Sequence, residues 1–320
     1  MIERQRANHG RSGIDRAAVV IPAHNEQELL PECLQRVNAA VAAAGLPTRV
    51  IVVLDDCTDD SLASARVYGV STVEIRARSV GVARATGTEL ALADRPLADR
   101  VPEDQTPGSG RAGALRAVPD GPAGNGPAGY GRQAEPDGRA GAGEHRTNGY
   151  RRPGDLAGDL ARLDGHHPGG RLAQPEPGWS AQAGIWLAYT DADSRVPEDW
   201  LVRQLRHARA GAEVLVGTVT VEDWSDWPDG LAKAYEEGYR RGQGRHVHGA
   251  NLGMTGSAYR SAGGFPDLPV GEDGALVAAA HRAGLRVVYA TDLPVVTSAR
   301  RQGRAPGGFS AFLAGLAARL

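Results

Sequence analysis

Cysteine is scarce: Cys33 and Cys57 are the only two in 320 residues. Two cysteines cannot supply a disulfide framework, and their spacing is not that of a metal site. Lysine is scarcer, with Lys233 alone among 36 basic residues, a bias best read as one of coding. Neither sign of charge dominates. The 36 basic and 38 acidic side chains leave a net −2, so no bulk field draws the chain to nucleic acid or to an anionic membrane. Long apolar runs are missing as well, and none approaches the roughly 20 residues needed to span a bilayer. The N-terminal MIERQRANHGRSGIDR is charged and lacks the apolar centre of a secretory signal. A soluble, cytoplasmic protein is expected, with peripheral membrane contact left open.

What the sequence does contain is a rhythm. AAVVIPAHNE (17–26), TRVIVVLDDCTDD (48–60) and STVEIRA (71–77) are short β-branched runs ending in polar residues, the mark of buried strands. Between them, QELLPECLQRVNAAVAAAG has helical spacing of Leu29, Leu30, Cys33, Leu34, Val37 and Val41, with Pro31 in the first turn and Gly45 at the stop. A second helix runs to Tyr68, capped by Thr58 or Asp59, and SVGVARATGTELALA is a third. Nearly continuous apolar strands alternating with helices imply an α/β fold with a mostly parallel sheet covered on both faces. Ligands of such sheets collect at the carboxyl ends of the strands. AHNE, DDCTDD and, later, TDADS therefore fall along one edge.

Residues 94–182 break the rhythm. They hold 18 of the 43 glycines and 11 of the 20 prolines, with no Ile, Phe, Met or Cys. Without a repeat period this composition reads as a disordered, low-complexity insertion, although a segment translated in a shifted frame would look the same. Its eleven arginines are offset by twelve acids, which argues against a nucleic-acid arm. Closing so long a loop instead of a short one costs only about 2 kcal/mol, so an insertion is tolerable. The strand–helix rhythm resumes at Ile185. A helix follows Pro197, a strand covers AEVLVGTVTVED, and GLAKAYEEGYRRG is helical. HGANLGMTGSAYRSAGGF reads as a glycine-rich extended region, GEDGALVAAAHRAG as a helix, LRVVYATDLPVVTS as late strands, and FSAFLAGLAARL as a short amphipathic helix.

VVIPAHNE, VLDDCTDD, VGVARATG, TDADSRVP, GANLGMTGSAYRSAGGF and GED, in this order, resemble the family-2 glycosyltransferases of GT-A fold. None of these motifs is decisive alone, but six in register, each at a strand or helix end, are hard to obtain otherwise. The resemblance covers residues 18–93 and 183 to about 300. It implies one GT-A domain made of 18–93 and 183–299, interrupted by the 94–182 insertion, preceded by a tail (1–17) and followed by a loop and short helix (300–320). It further implies metal-dependent, inverting transfer of a sugar from a UDP- or GDP-linked donor to a carbohydrate, lipid or small-molecule hydroxyl. A sugar-1-phosphate nucleotidyltransferase would need a glycine-rich, basic phosphate loop after the first strand, where PAHNEQE has none. A nucleotide- or sugar-binding protein disabled by the insertion is the alternative.

Each candidate residue has a reason. A departing nucleoside diphosphate gathers charge that a divalent cation neutralises, and Mg²⁺ or Mn²⁺ takes hard oxygens from one or two carboxylates plus phosphates. Asp191 and Asp193, two apart at a strand end, present oxygens to one side. The resemblance makes Asp193 the more direct metal ligand and leans Asp191 toward the ribose or the metal's waters; capping the next helix is their ordinary use. Asp56 matches the family position that bonds the base, and Asp55 is either a second binding group or the organiser of its loop. An Asx-turn would explain either. Ala23 and Glu26 match residues lining the nucleoside, and Arg84 one near the base and diphosphate. Asp273 is the candidate general base, with Glu272 as a like-charged neighbour able to tune it; otherwise both acids serve the helix dipole. Arg300, Arg301 and Arg304 occupy the place of a loop closing over the phosphates, or a solvated tail. His246 and His248 are candidates for touching acceptor or metal, although a satisfied strand histidine is the commoner case, and Trp224 and Trp227 serve equally well for stacking on a sugar or for loop packing.

Overall fold

RAAVVIPA becomes a strand, β1 (Arg16–Ala23), whose residues from Ala17 on are all buried, so its side chains must serve two cores at once. They do so by alternation. In this computed structural model Val19 and Ile21 enter one apolar cluster, and Ala18 and Val20 the other. The same split recurs in β2 (Thr48–Asp55), where Val52 and Leu54 face one side and Ile51 and Val53 the other. In β4 (Ile185–Tyr189), Trp186 and Ala188 oppose Leu187 and Tyr189. Residues 13–93, 184–242, 246–268, 270–304 and 307–320 are described, all within one compact unit. The expected insertion at 94–182 and most of the N-terminal tail lie outside the described residues.

The helices cover both faces, as the strand composition requires. On one lie α1 (Leu30–Ala44), which buries Leu30, Cys33, Leu34 and Val37 and stops at Gly45 with φ 58°, and α4 (Trp200–Arg209). On the other lie α3 (Val80–Leu92), α6 (Gly256–Ala262) and α7 (Glu272–Arg282). Gly87 lets α3 approach closely, because a Cβ there would run into Val20 and Val53. The remaining elements are α2 (Ser61–Val67), β3 (Ser71–Ile75), β5 (Ser194–Arg195), β6 (Val214–Thr220), α5 (Leu231–Arg241), β7 (Leu252–Thr255), β8 (Val287–Thr297) and α8 (Phe309–Ala317).

The eight strands form one sheet in the order β3-β2-β1-β4-β7-β6-β8-β5. β1 is parallel to β2 and β4, β2 to β3, and β6 to β8, while β7 runs antiparallel between β4 and β6 and β5 antiparallel to β8. The mixed α/β, mostly parallel sheet expected from the sequence is the one observed, and it sets the ends of β1, β2, β4 and β8 along one edge.

Three local expectations change. The cap of α2 is Asp60 rather than Thr58 or Asp59, although the Asp59 carboxylate still accepts the Ser61 N–H at 3.0 Å. The glycine-rich segment is not simply extended. It holds β7 and then α6, which Thr255 Oγ1 caps by accepting from Ala258 N at 3.1 Å and Gly263 ends at φ 87°. The late strands are one strand, β8, interrupted in register against β6 between Gly217 and Val219. Pro294, which has no N–H to donate, sits at that irregularity. Asn251 fills the gap: its Nδ2 donates to Thr218 O and Leu293 O, both at 2.8 Å, and its Oδ1 accepts from Trp200 Nε1 at 2.9 Å.

Candidate active site

The converging strand ends enclose a cavity of about 470 Å³, lined among others by Ala23, Glu26, Asp55, Asp191 and Asp193. A second cavity of about 560 Å³ adjoins it and is lined by Arg84, Asp191, His248, Glu272 and Asp273. The two share Val80, Asp191, Thr297, Gly308 and Phe309. Ala23, Glu26, Asp55, Arg84, Asp191, Asp193 and Asp273 thus line one or both cavities. Asp56 lines neither.

Asp55 and Asp56 are adjacent, but their surroundings differ. Asp55 is buried, and its Oδ1 accepts from Ala77 N at 2.7 Å and Arg78 N at 2.8 Å, while Oδ2 accepts from Ser79 N at 2.8 Å. Three backbone donors on one carboxylate fix the loop that leads into α3 and turn its residues toward the cavity. Asp56 has φ 53°, and its Oδ2 receives Arg78 Nε at 2.5 Å. That hydrogen bond, outweighing desolvation, holds its pKa below the usual carboxylate range. His24, not singled out in the sequence, joins this edge by contacting Asp55 O through Nδ1 at 2.6 Å. Its only sequence signal was its place in AHNE.

Arg84 is 3% exposed and is gripped by two carboxylates, Glu272 on Nη1 and Asp191 on Nη2. Burial pulls its pKa down, but Asp191 and Glu272 outweigh burial and hold it above the ordinary arginine value. Glu272 responds in the opposite sense, as burial pushes its carboxyl up against the pull of Arg84. A Cβ at Gly249 would run into the guanidinium, so the glycine of HGAN makes room for this pair. An arginine in VGVARATG therefore ties α3, the β4 end and the start of α7 together.

Glu26, 6% exposed, takes both Nη atoms of Arg300 at 2.7 and 2.5 Å, and Arg300 Nη2 also reaches Asp193 Oδ2 at 3.1 Å. Arg304 lines the same cavity, whereas Arg301 lies over the Trp227 ring at 5.2 Å. Despite Arg300, burial foremost, with Asp191 and Glu26 adding to it, pushes the Asp193 pKa up to about 7. The acidic cluster carries more negative charge than its arginine balances. Among the described residues no three His, Cys, Asp or Glu side chains are gathered as a metal-binding group. Mg²⁺ or Mn²⁺ needs only one or two protein carboxylates when phosphates and water supply the rest. Asp193, with Asp191 near it, fits that requirement, and a cation would offset the Asp191 and Glu26 charges that add to burial in raising Asp193.

Asp273, in the first turn of α7, is held by backbone donors: Gly249 N to Oδ2 and Gly274 N to Oδ1, each at 2.7 Å. Its orientation is thus fixed toward the second cavity. His248 precedes Gly249, and burial lowers its pKa to about 4, so the ring is neutral. The Nε2 atoms of His246 and His248 are buried without a hydrogen-bond partner. Trp227 and Trp224 turn out to be packing residues. Trp227 is buried with its N–H bonded to Ala299 O, and Trp224 rests on Tyr235 at 5.4 Å between ring centroids. The C-terminal helix α8 docks on α5 through the same small cluster. Among the described residues no helix is long and apolar enough to cross a membrane.

Comparison with known proteins bears on the first half of this site. One relative, the undecaprenyl-phosphate 4-deoxy-4-formamido-L-arabinose transferase of Klebsiella pneumoniae, is 42% identical over 48 residues, which is 15% of each chain. Among solved structures, S. aureus TarS 1-349 in complex with UDP-GlcNAc is similar at 12% identity and TM-score 0.48, over 92% of this chain and 61% of that one. Glucosyl-3-phosphoglycerate synthase from Mycobacterium tuberculosis, in complex with Mn²⁺ and UDP-glucose, is similar at 14% identity and TM-score 0.42, over 92% and 73%. The chain therefore spans about three-fifths of the TarS chain and a small part of the Klebsiella enzyme. Residues 18–95, from β1 through α3 and carrying Ala23, Glu26, Asp55, Asp56 and Arg84, match glycosyl transferase family 2, the family whose resemblance the motifs carry.

Proposed function

We propose that this protein transfers a sugar from a UDP- or GDP-linked donor to an acceptor hydroxyl, with inversion at the anomeric carbon. The observation that carries the reading is the meeting of two cavities at Asp191, one acidic and ringed by parallel strand ends, the other holding the backbone-clamped Asp273. The first suits a nucleoside diphosphate, with Ala23, Asp55 and the 77–79 loop against the nucleoside and Arg300 and Arg304 near its charge. Asp193, with Asp191, would hold Mg²⁺ or Mn²⁺, which supplies Lewis-acid stabilisation of the departing diphosphate.

In the second cavity Asp273 acts as base. Its carboxylate takes the acceptor proton as the acceptor oxygen forms a bond to the anomeric carbon. The bond from that carbon to the diphosphate oxygen breaks, and its electron pair stays on the nucleoside diphosphate. Gly249 N–H and Gly274 N–H keep the carboxylate facing the cavity, and Arg84 holds Glu272 away from competing for the same proton. Catalysis by a positioned base of this kind is worth about 10²–10⁴ in rate. The described residues from 18 to 299 would then be one catalytic domain, with 94–182 inserted between its halves.

The test is release of UDP or GDP from a panel of nucleotide sugars with Mn²⁺, with and without EDTA, in the whole chain and in a version with 94–182 replaced by a short linker. Metal-dependent release in either version supports the reading. Nucleotide binding without release in both versions, with or without candidate acceptors, would favour a binding protein. Activity in the shortened chain alone would identify the insertion as the disabling element.

A further inference from the structure

The cavity beside Asp273 has one reactive end and a long apolar body. Its walls are Tyr235 and Tyr239 of α5, Phe309, Phe312 and Leu316 of α8, and the His246–His248 segment. The rings are arranged in series: Tyr239 lies parallel to His248 at 5.7 Å between centroids, and Tyr235 meets Phe309 edge-on at 5.9 Å.

The phenol tips of these rings are engaged with the backbone of Val219. Tyr239 Oη accepts from Val219 N at 3.1 Å, and Tyr235 Oη donates to Val219 O at 3.4 Å. Thr297 Oγ1 is taken by Ser194 Oγ at 3.1 Å, and Arg84, Glu272 and Asp191 are engaged with one another. His246 packs its Nε2 against Gly242. Among the described lining residues the buried polar atoms without a partner are Arg84 Nε and the Nε2 atoms of His246 and of a neutral His248, and His248 lies next to the Gly249 whose N–H holds Asp273. A sugar acceptor, with a hydroxyl on nearly every carbon, would find its other hydroxyls unpaired along such walls, and each unpaired buried polar group carries a desolvation penalty. Of the exposed residues lining this cavity, Phe312 (55% exposed) and Val270 (48%) are apolar and Arg241 is charged. Exposed apolar side chains gathered at the mouth of a pocket mark a surface made to be covered.

We propose that the acceptor is an apolar alcohol, aliphatic or aromatic, whose single hydroxyl sits between Asp273 and His248 Nε2 while its body lies along Tyr239, Tyr235, Phe309 and Phe312. This rests on the sugar-transfer reading, since it names the acceptor class of the same site. His248 is then a specificity residue. It recognises the hydroxyl through Nε2 and leaves the proton abstraction to Asp273.

Calorimetry on the full chain with UDP and Mn²⁺ present tests this, using farnesol, 4-methylumbelliferone, the methyl ether of the latter, and methyl α-glucoside. At least one alcohol is expected to bind tenfold or more tightly than methyl α-glucoside, and the two alcohols tell an aliphatic from an aromatic acceptor. Phe312→Ser, at an exposed position that should fold normally, is expected to weaken the alcohol about fivefold. His248→Ala should erase the preference for alcohol over ether, and His248→Gln, which keeps an N–H, should restore part of it. Tighter binding of methyl α-glucoside, binding of neither alcohol, or indifference to both Phe312→Ser and His248→Ala overturns the apolar acceptor. Where UDP still binds with Mn²⁺, only the acceptor class falls and sugar transfer stands; where UDP fails to bind, both fall together.

Discussion

The two cavities that meet at Asp191 are built in opposite ways. The first is lined by short loops at strand ends, and its carboxylates are crowded: Asp193 and Glu26 share the charge of Arg300 with Asp191 close by, and the Asp193 pKa rises to about 7. The second is walled by aromatic rings from helices far apart in the chain, and among its described lining residues Arg84 Nε and the Nε2 atoms of His246 and His248 are buried without a partner. A crowded acidic edge suits a cation and a polyanion, whereas an aromatic-walled slot whose backbone-clamped Asp273 stands apart from the Arg84 ion pairs suits a hydroxyl that must lose its proton. Crowded carboxylates mark the place where the donor would be anchored, whereas on the acceptor side Asp191 and Glu272 are paired with Arg84.

The sharpest way to break this contrast is to remove the base. Asp273→Asn is expected to lower turnover by about 10²–10⁴ while UDP affinity, measured by calorimetry, stays within about a factor of two. Unchanged turnover would strip Asp273 of its role. Next in size is the pair that joins the cavities. Arg84→Ala leaves Glu272 and Asp191 without their partner and should cost about 3–5 kcal/mol in urea unfolding, as for a broken buried ion pair. Adding Glu272→Gln should recover part of that loss, because it removes the charge stranded in the interior.

Smaller effects separate the donor side from the acceptor side. Asp193→Ala is expected to remove the Mn²⁺-dependent gain in UDP affinity and to leave the metal-free affinity nearly unchanged, a comparison made by titrating UDP with Mn²⁺ and with EDTA. The smallest effect concerns pH. The folded Asp193 pKa of about 7 lies above its ordinary 3.8, so the folded state binds a proton that the unfolded state has lost between those values. Stability of the metal-free protein should therefore fall as pH rises from about 4 through about 7. Asp193→Asn should flatten that slope, seen as a larger gain in Tm at pH 8 than at pH 5. A slope that survives the substitution would place the strain elsewhere in the cluster.

Much of the layout was legible because it is local. The continuous apolar runs VVIP, VIVV and IWLAY mark buried strands, Gly45 stops α1, and acidic strand ends mark an edge. The glycine-rich 246–265 stretch was harder to read: its helix depends on the Thr255 cap, and its strand β7 on Gly253 leaving room for Trp186 and Gln204. The roles of neighbouring acids were harder still. Asp55 and Asp56 are equivalent as letters, yet one is clamped by the backbone of residues 77–79 and the other turns out to Arg78. Glu272 and Asp273 part in the same way, one to Arg84 and one to Gly249.

By itself the sequence determined that strands and helices alternate and that Asp191 and Asp193 stand at the end of a buried strand, since side-chain periodicity and backbone propensity act over a few residues. Only the tertiary structure decided that Arg84 answers Asp191 and Glu272, that Arg300 answers Glu26 and Asp193, and that His248 keeps an unpaired nitrogen beside Asp273. Those choices depend on which chain segments, 100 residues or more apart in several cases, exclude water from each other, and desolvation has no trace in a linear string.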